Sequence, residues 1–63
     1  MIQVTRLNSS PVVLNHDLIK FVEARPDTTI TMLNDEKVVV KEPVDVVIDR
    51  VIEFQRRVRL FKE

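Results

Sequence analysis

Residues 17–43 read DLIKFVEARPDTTITMLNDEKVVVKEP, and they decide the fold because short apolar runs alternate with charged reversals before a helical pattern begins. Within them Ile30 and Met32 alternate with Thr29 and Thr31, the period of a half-buried strand. Asn34, Asp35 and Glu36 interrupt, Val38-Val39-Val40 resumes, and the two runs predict a hairpin. One strand earlier, Ile19, Phe21 and Glu23 are expected on one face and Lys20, Val22 and Ala24 on the other. Arg25-Pro26-Asp27-Thr28 is expected to reverse that strand, with Pro26 fixing φ at the second turn position.

Working outward, Ile2 and Val4 alternate with Gln3 and Thr5, which predicts a first strand ended by Asn8-Ser9-Ser10-Pro11. Val12 to Leu14 should pair back on it. Asn15-His16-Asp17 then makes a turn, because Asn and Asp side chains accept hydrogen bonds from nearby backbone N–H groups. The chain has no glycine. Left-handed turn positions are therefore expected at Asn34 and Asp35, whose short polar side chains tolerate them best.

Toward the C-terminus, Pro43 suits the first helical position, where its missing N–H is no loss, and Glu42 and Asp45 complement the positive end of the helix dipole. Val44, Val47, Val51, Phe54, Val58 and Phe61 follow at spacings of 3 and 4, one apolar stripe widened by Ile48 and Ile52. A helix over 43–61 would be about 28 Å long, and strands of five or six residues reach only about 17–20 Å. Its far end should overhang the sheet. There the stripe narrows to a seam of Val51, Phe54, Val58 and Phe61, either a surface for self-association or simply the end of a stripe that lies in the chain's own core. The fold class expected is α+β: an antiparallel sheet of four or five strands near 2–7, 11–14, 19–25, 28–33 and 37–41, then one long amphipathic helix near 43–61, all in a single domain over 1–63.

Sixty-three residues bury only about 60% of the surface that the unfolded chain exposes, so a domain this small needs reinforcement. Cysteine is absent and His16 is the single histidine, which removes disulfides and Cys/His zinc sites. Oligomerisation remains the expected route, and a homo-oligomer is expected.

Ten basic and ten acidic residues cancel, but residues 50–63 hold five basic groups, Arg50, Arg56, Arg57, Arg59 and Lys62, against two acidic ones. Arg50, Phe54, Arg56, Arg57, Arg59 and Phe61 are therefore the candidate partner-binding residues. Complementing the negative end of the helix dipole on a solvated face is the simplest account of such a tip; an acidic protein, a membrane surface or a nucleic acid could each meet it. Nucleic acid is disfavoured, because exposed aromatics, a second recognition helix and excess domain charge are missing. No apolar stretch approaches the roughly 20 residues of a membrane span, and Met1-Ile-Gln-Val-Thr-Arg6 lacks the pattern of an export signal. A cytoplasmic location is expected, with the inner face of the membrane as a peripheral station.

Catalytic chemistry is not assembled by these residues. Phosphate loops need glycines for close backbone approach. Ser9 or Ser10 with His16 and Asp17 supplies the residue types of a hydrolytic triad without a preorganised oxyanion site. His16 and Asp17 make a weak metal pair, and a lone histidine in a polar turn is ordinarily solvated or bonded to backbone. The pairs Asp35 with Glu36, Asp45 with Asp49 and Glu23 with Asp27 lack the apolar enclosure that raises a carboxyl pKa. The expectation is a protein that is not an enzyme and carries no cofactor.

Leu14-Asn15, Asp17-Leu18-Ile19, Glu23, Pro26-Asp27-Thr28, Ile30-Thr31, Asn34 and Val40-Lys41-Glu42, followed by a Val/Ile-rich amphipathic helix, resemble the short flagellar protein FlbD family, also called swarming motility protein SwrD. The opening Met1-Ile-Gln-Val-Thr-Arg-Leu-Asn8 fits the same pattern, and the likeness covers essentially the whole chain. Leu14, Asn15, Ile19, Glu23, Pro26, Asp27, Thr28, Lys41 and Glu42 are the motif positions expected to serve the fold. Two departures stand out: Asp35 where such sequences tend to place glycine, and Pro43 where a Ser or Thr often caps the helix. The resemblance implies a non-enzymatic protein of swarming motility that supports flagellar motor power, through stator units or associated proteins. A nucleic-acid regulator and a generic oligomeric adaptor are the rival classes.

Overall fold

A computed structural model describes the backbone of residues 1–61 and the side chains of residues 1–59. The elements are β1 (Ile2–Thr5), β2 (Pro11–Leu14), a 3-10 turn (His16–Leu18), β3 (Ile19–Ala24), β4 (Thr28–Met32), β5 (Lys37–Val40) and α1 (Val44–Phe61). The α+β class and the order of five strands before one helix are as expected. The strands, however, form two antiparallel sheets, β1-β2 and β3-β4-β5. They meet at one bridge, Arg6 with Val40, beside which the Lys41 N–H donates to the Thr5 carbonyl at 2.8 Å. The first strand was expected to run to residue 7. It ends at Thr5 because Arg6 begins the reversal: the Arg6 N–H donates to Ser10 O at 2.9 Å and the Ser9 N–H to Arg6 O at 2.8 Å.

Register sets the core. Ile2 opposes Leu14 and Val4 opposes Val12 across the first pair, which turns Ile2, Val4 and Leu14 inward. Ile30 opposes both Val22 and Val38. Ile2, Val4, Leu14, Ile30, Met32, Val38, Val40 and Val47 form the buried cluster, with Val12, Ile19, Val22, Val51 and Phe54 packed around it. As the middle strand, β4 is more deeply buried than its alternation suggests: Thr28 and Thr31 are only 7% and 3% exposed.

Strand β3 departs from strict alternation. Its register on β4 shifts between Ile19 and Phe21, so one extra residue resets which side chains share a face. Ile19 and Val22 both pack on the core while Phe21 is left 45% exposed. The expected grouping of Ile19 with Phe21 is therefore corrected.

Asparagine replaces glycine at the reversals. The side chains of Asn8, Asn15 and Asn34 accept from the N–H groups of Ser10, Asp17 and Glu36 at 2.9, 3.1 and 3.0 Å. Each bond spans two residues and stands in for a backbone turn. The positive φ angles fall at Asp35 (71°) and Ser9 (73°). Asp35 is as expected, Ser9 takes the place assigned to Asn34, and Asn34 contributes its side chain instead. The Arg25–Pro26 peptide is cis, and the Arg25 N–H closes the expected reversal on Asp27 O at 2.9 Å.

Helix α1 starts one residue later than expected. The Pro43 carbonyl accepts from the Val46 and Val47 N–H groups at 3.0 and 3.1 Å, which makes Pro43 the capping residue and Val44 the first helical one. The helix packs across β1 and β3 through Val47, Val51 and Phe54. Ile48 and Ile52, expected to widen the buried stripe, are 47% and 55% exposed, because the contact with two separate strands is narrower than a flat sheet face would give.

Candidate interaction site

The root of the helix is held by one carboxylate. Glu42 accepts from the Thr5 N–H at 2.9 Å and from the Thr5 hydroxyl at 3.0 Å, and Arg50 donates to it at 2.9 Å. The same Arg50 nitrogen donates to the Gln3 carbonyl at 2.7 Å. Burial alone would raise the Glu42 pKa, but the N–H groups of Thr5 and of Glu42 itself, the Thr5 hydroxyl and Arg50 outweigh it and lower it from 4.5 to about 2. Glu42, expected to serve the helix dipole, thus ties the helix to β1. This cluster escaped the sequence reading because Thr5 and Glu42 lie 37 residues apart.

A second anchor is His16. Expected to be solvated or bonded to backbone, it has a side chain only 9% exposed, and its ring stands edge-on to Phe54 at 5.1 Å and 61°. The Met1 ammonium donates to its Nδ1 at 2.9 Å. Phe54 is thereby the last side chain of the described helix that packs on the body.

Past Phe54 the described side chains Gln55, Arg56, Arg57, Val58 and Arg59 are all exposed. Glu53 lies 3.9 Å from Arg56 and 3.8 Å from Arg57, both long contacts at exposed positions that hold the arginines weakly. Shallow depressions flank this end. One, of about 450 Å³, includes Thr5, Glu42, Arg50, Glu53 and Arg57 in its lining; the other, of about 390 Å³, includes His16, Phe54, Val58 and Arg59.

The candidate residues therefore divide. Arg56, Arg57 and Arg59 share the exposed end, Arg50 is engaged with Glu42 and Gln3 one to two turns earlier, and Phe54 is shared between the core and both depressions. Of the seam, Val51 and Phe54 pack on the chain's own core and Val58 is 42% exposed. The side chain of Phe61, and Lys62 altogether, lie outside the described residues.

The motif positions lie in the frame. Leu14 and Thr28 are buried and Ile19 packs on the core. Asn15 caps the 3-10 turn. Asp27 accepts from the Arg25 N–H and the Thr29 hydroxyl, and Glu23 lies 3.7 Å from Arg25. Lys41 joins the two sheets through its N–H and reaches Ser9 with its ammonium.

Among the described residues no three His, Cys, Asp or Glu side chains gather as a metal site, and no helix is long and apolar enough to cross a membrane. Fold and site together define a small two-sheet α+β domain that presents a basic helix end beyond its own core. The family model for FlbD, flagellar and swarming motility proteins, matches residues 1–59, and the chain belongs to that family. No curated protein and no solved structure matches it.

Proposed function

We propose that this protein is a non-enzymatic accessory of the flagellar motor that supports motor power by binding stator units, or proteins associated with them, through the basic end of α1. Its working place is the cytoplasm, at the inner face of the membrane beside the motor. One observation carries the reading: in a chain of the flagellar and swarming motility family, Arg56, Arg57 and Arg59 stand exposed together toward the far end of α1. Side chains so placed meet a partner without disturbing the fold, and clustered guanidinium groups suit carboxylates, which they engage in bidentate fashion.

The test reverses Arg57 to Glu, alone and together with Arg56 and Arg59, in motile cells and scores swarming. Arg50 is left intact, because it holds Glu42. The proposal expects a folded variant at normal abundance with swarming lost. A folded variant that swarms like the wild type contradicts it.

A further inference from the structure

A second seam runs along α1, away from the sheets. Asp45, Ile48, Ile52, Gln55 and Arg59 succeed one another at spacings of 3, 4, 3 and 4, the heptad pattern of a helix that pairs with another helix. Asp49 and Arg56 flank it. All seven are exposed, with Ile48 at 47% and Ile52 at 55%. Between this face and β3 runs an apolar groove of about 210 Å³, lined in part by Ile19, Val22, Val47, Ile48, Val51 and Ile52.

Charge along the seam is ordered. Asp45 and Asp49 lie toward the helix start, the two isoleucines in the middle, and Arg56 and Arg59 toward the end. Asp45 lies seven residues before Ile52 and Arg59 seven after it, about 10 Å along the axis in either direction. A face acidic at one end, apolar at the centre and basic at the other is complementary to itself when turned end for end. A parallel arrangement would set aspartate on aspartate and arginine on arginine.

We propose that a second copy of this chain docks here: two α1 helices pack antiparallel about a two-fold axis at Ile52, with Ile48 and Ile52 buried between the copies. Asp45 of each copy faces Arg59 of the other, and Asp49 faces Gln55 and Arg56. An isologous contact of this kind closes at two subunits. It covers the isoleucines that the chain's own sheets leave exposed. The surface differs from the seam of Val51, Phe54, Val58 and Phe61, whose first two members already pack on the chain's own core. Arg57, on the side of the helix that carries Arg50, stays outward in the dimer. The dimer does not depend on the motor reading. Arg57→Glu should leave the mass of the purified protein unchanged while disturbing motor binding, so the two proposals fail separately.

Sedimentation equilibrium decides it. Wild type at about 100 µM should show twice 7.4 kDa. The variants D45R/D49R and R56D/R59D should each dissociate at least tenfold more readily when alone, since each sets like charges against one another. Mixed, they should form a heterodimer, because an all-basic seam meets an all-acidic one. Circular dichroism checks that both stay helical, and Ile52→Asp, at an exposed position, supplies a variant that breaks the centre without altering the charged ends. A wild type that stays monomeric, charge variants that dimerise unchanged, Ile52→Asp as dimeric as wild type, or a mixture that fails to pair each overturns the proposal.

Discussion

Replacing Glu42 with Ala removes one carboxylate and, with it, the acceptor of two hydrogen bonds from Thr5 and the partner of Arg50. Hydrogen bonds to a charged group each contribute about 1.5–3 kcal/mol. Thr5 is only half-buried, so water replaces part of the loss, and the pair with a 44%-exposed Arg50 adds little. A net cost of about 2–3 kcal/mol follows. A domain of this length has a total stability of only about 3–9 kcal/mol. The expected fall in Tm is about 15–23 °C. Arg50→Ala, which leaves both Thr5 bonds in place, should cost less than half as much. Thermal and urea unfolding followed by circular dichroism measure both. An Arg50→Ala cost equal to that of Glu42→Ala would show that the contacts of Arg50, with Glu42 and with the Gln3 carbonyl, hold the helix root and that the Thr5 bonds do not.

The same carboxylate makes stability depend on pH. Its folded pKa of about 2 lies below the ordinary 4.5, so between these values the unfolded chain binds the extra proton. The contribution is whole above pH 4.5 and is lost as pH falls through about 2. With allowance for solvent around an exposed ion pair, about 1–2 kcal/mol is at stake. Glu42→Gln should therefore show a flatter acid limb than wild type in urea midpoints across that window.

Thr31 is 3% exposed and its hydroxyl has no hydrogen-bond partner among the described residues, so Thr31→Val should hold or raise stability, by up to about 1 kcal/mol in urea unfolding. Asp35 has φ 71°, and Asp35→Gly should gain about 0.5–1 kcal/mol less whatever the exposed contact with Lys20 contributes. Ile30, fully buried at the centre of β4, should cost about 0.5–1.5 kcal/mol as Ile30→Val and about 2–5 as Ile30→Ala, enough to unfold much of the population at 37 °C.

Much of this architecture was legible because its signals are local. Alternation at Ile2/Val4 and Ile30/Met32 marked strands, and the apolar stripe from Val44 marked the helix. With glycine absent, the Asn residues had to serve the reversals, as Asn8, Asn15 and Asn34 do. What stayed hidden needs contacts between distant residues or depends on one backbone step. The bulge before Phe21 changes the facing of a strand without changing its composition. Ser9 takes a left-handed position with no sequence mark beyond its place in a polar turn. The Glu42 clamp needs β1 beside the helix root, and that depends on contacts between distant residues such as the Arg6–Val40 bridge and the Lys41 N–H bond to Thr5. The basic helix end could be read from charge order alone, but only packing separates Arg50 from Arg56, Arg57 and Arg59. The exposure of Ile48 and Ile52 likewise depended on how wide a surface the two sheets offer.

We propose that the motor meets the exposed end of α1. Crosslinking pull-down from motile cells, comparing wild type with Arg57→Glu, tests it most directly, because Arg57 is exposed and lies off both the core and the proposed dimer face. The account predicts stator subunits, or proteins bound to them, recovered with wild type and strongly depleted with the variant at equal abundance. Equal recovery with both, or nucleic acid in place of motor proteins, would contradict it.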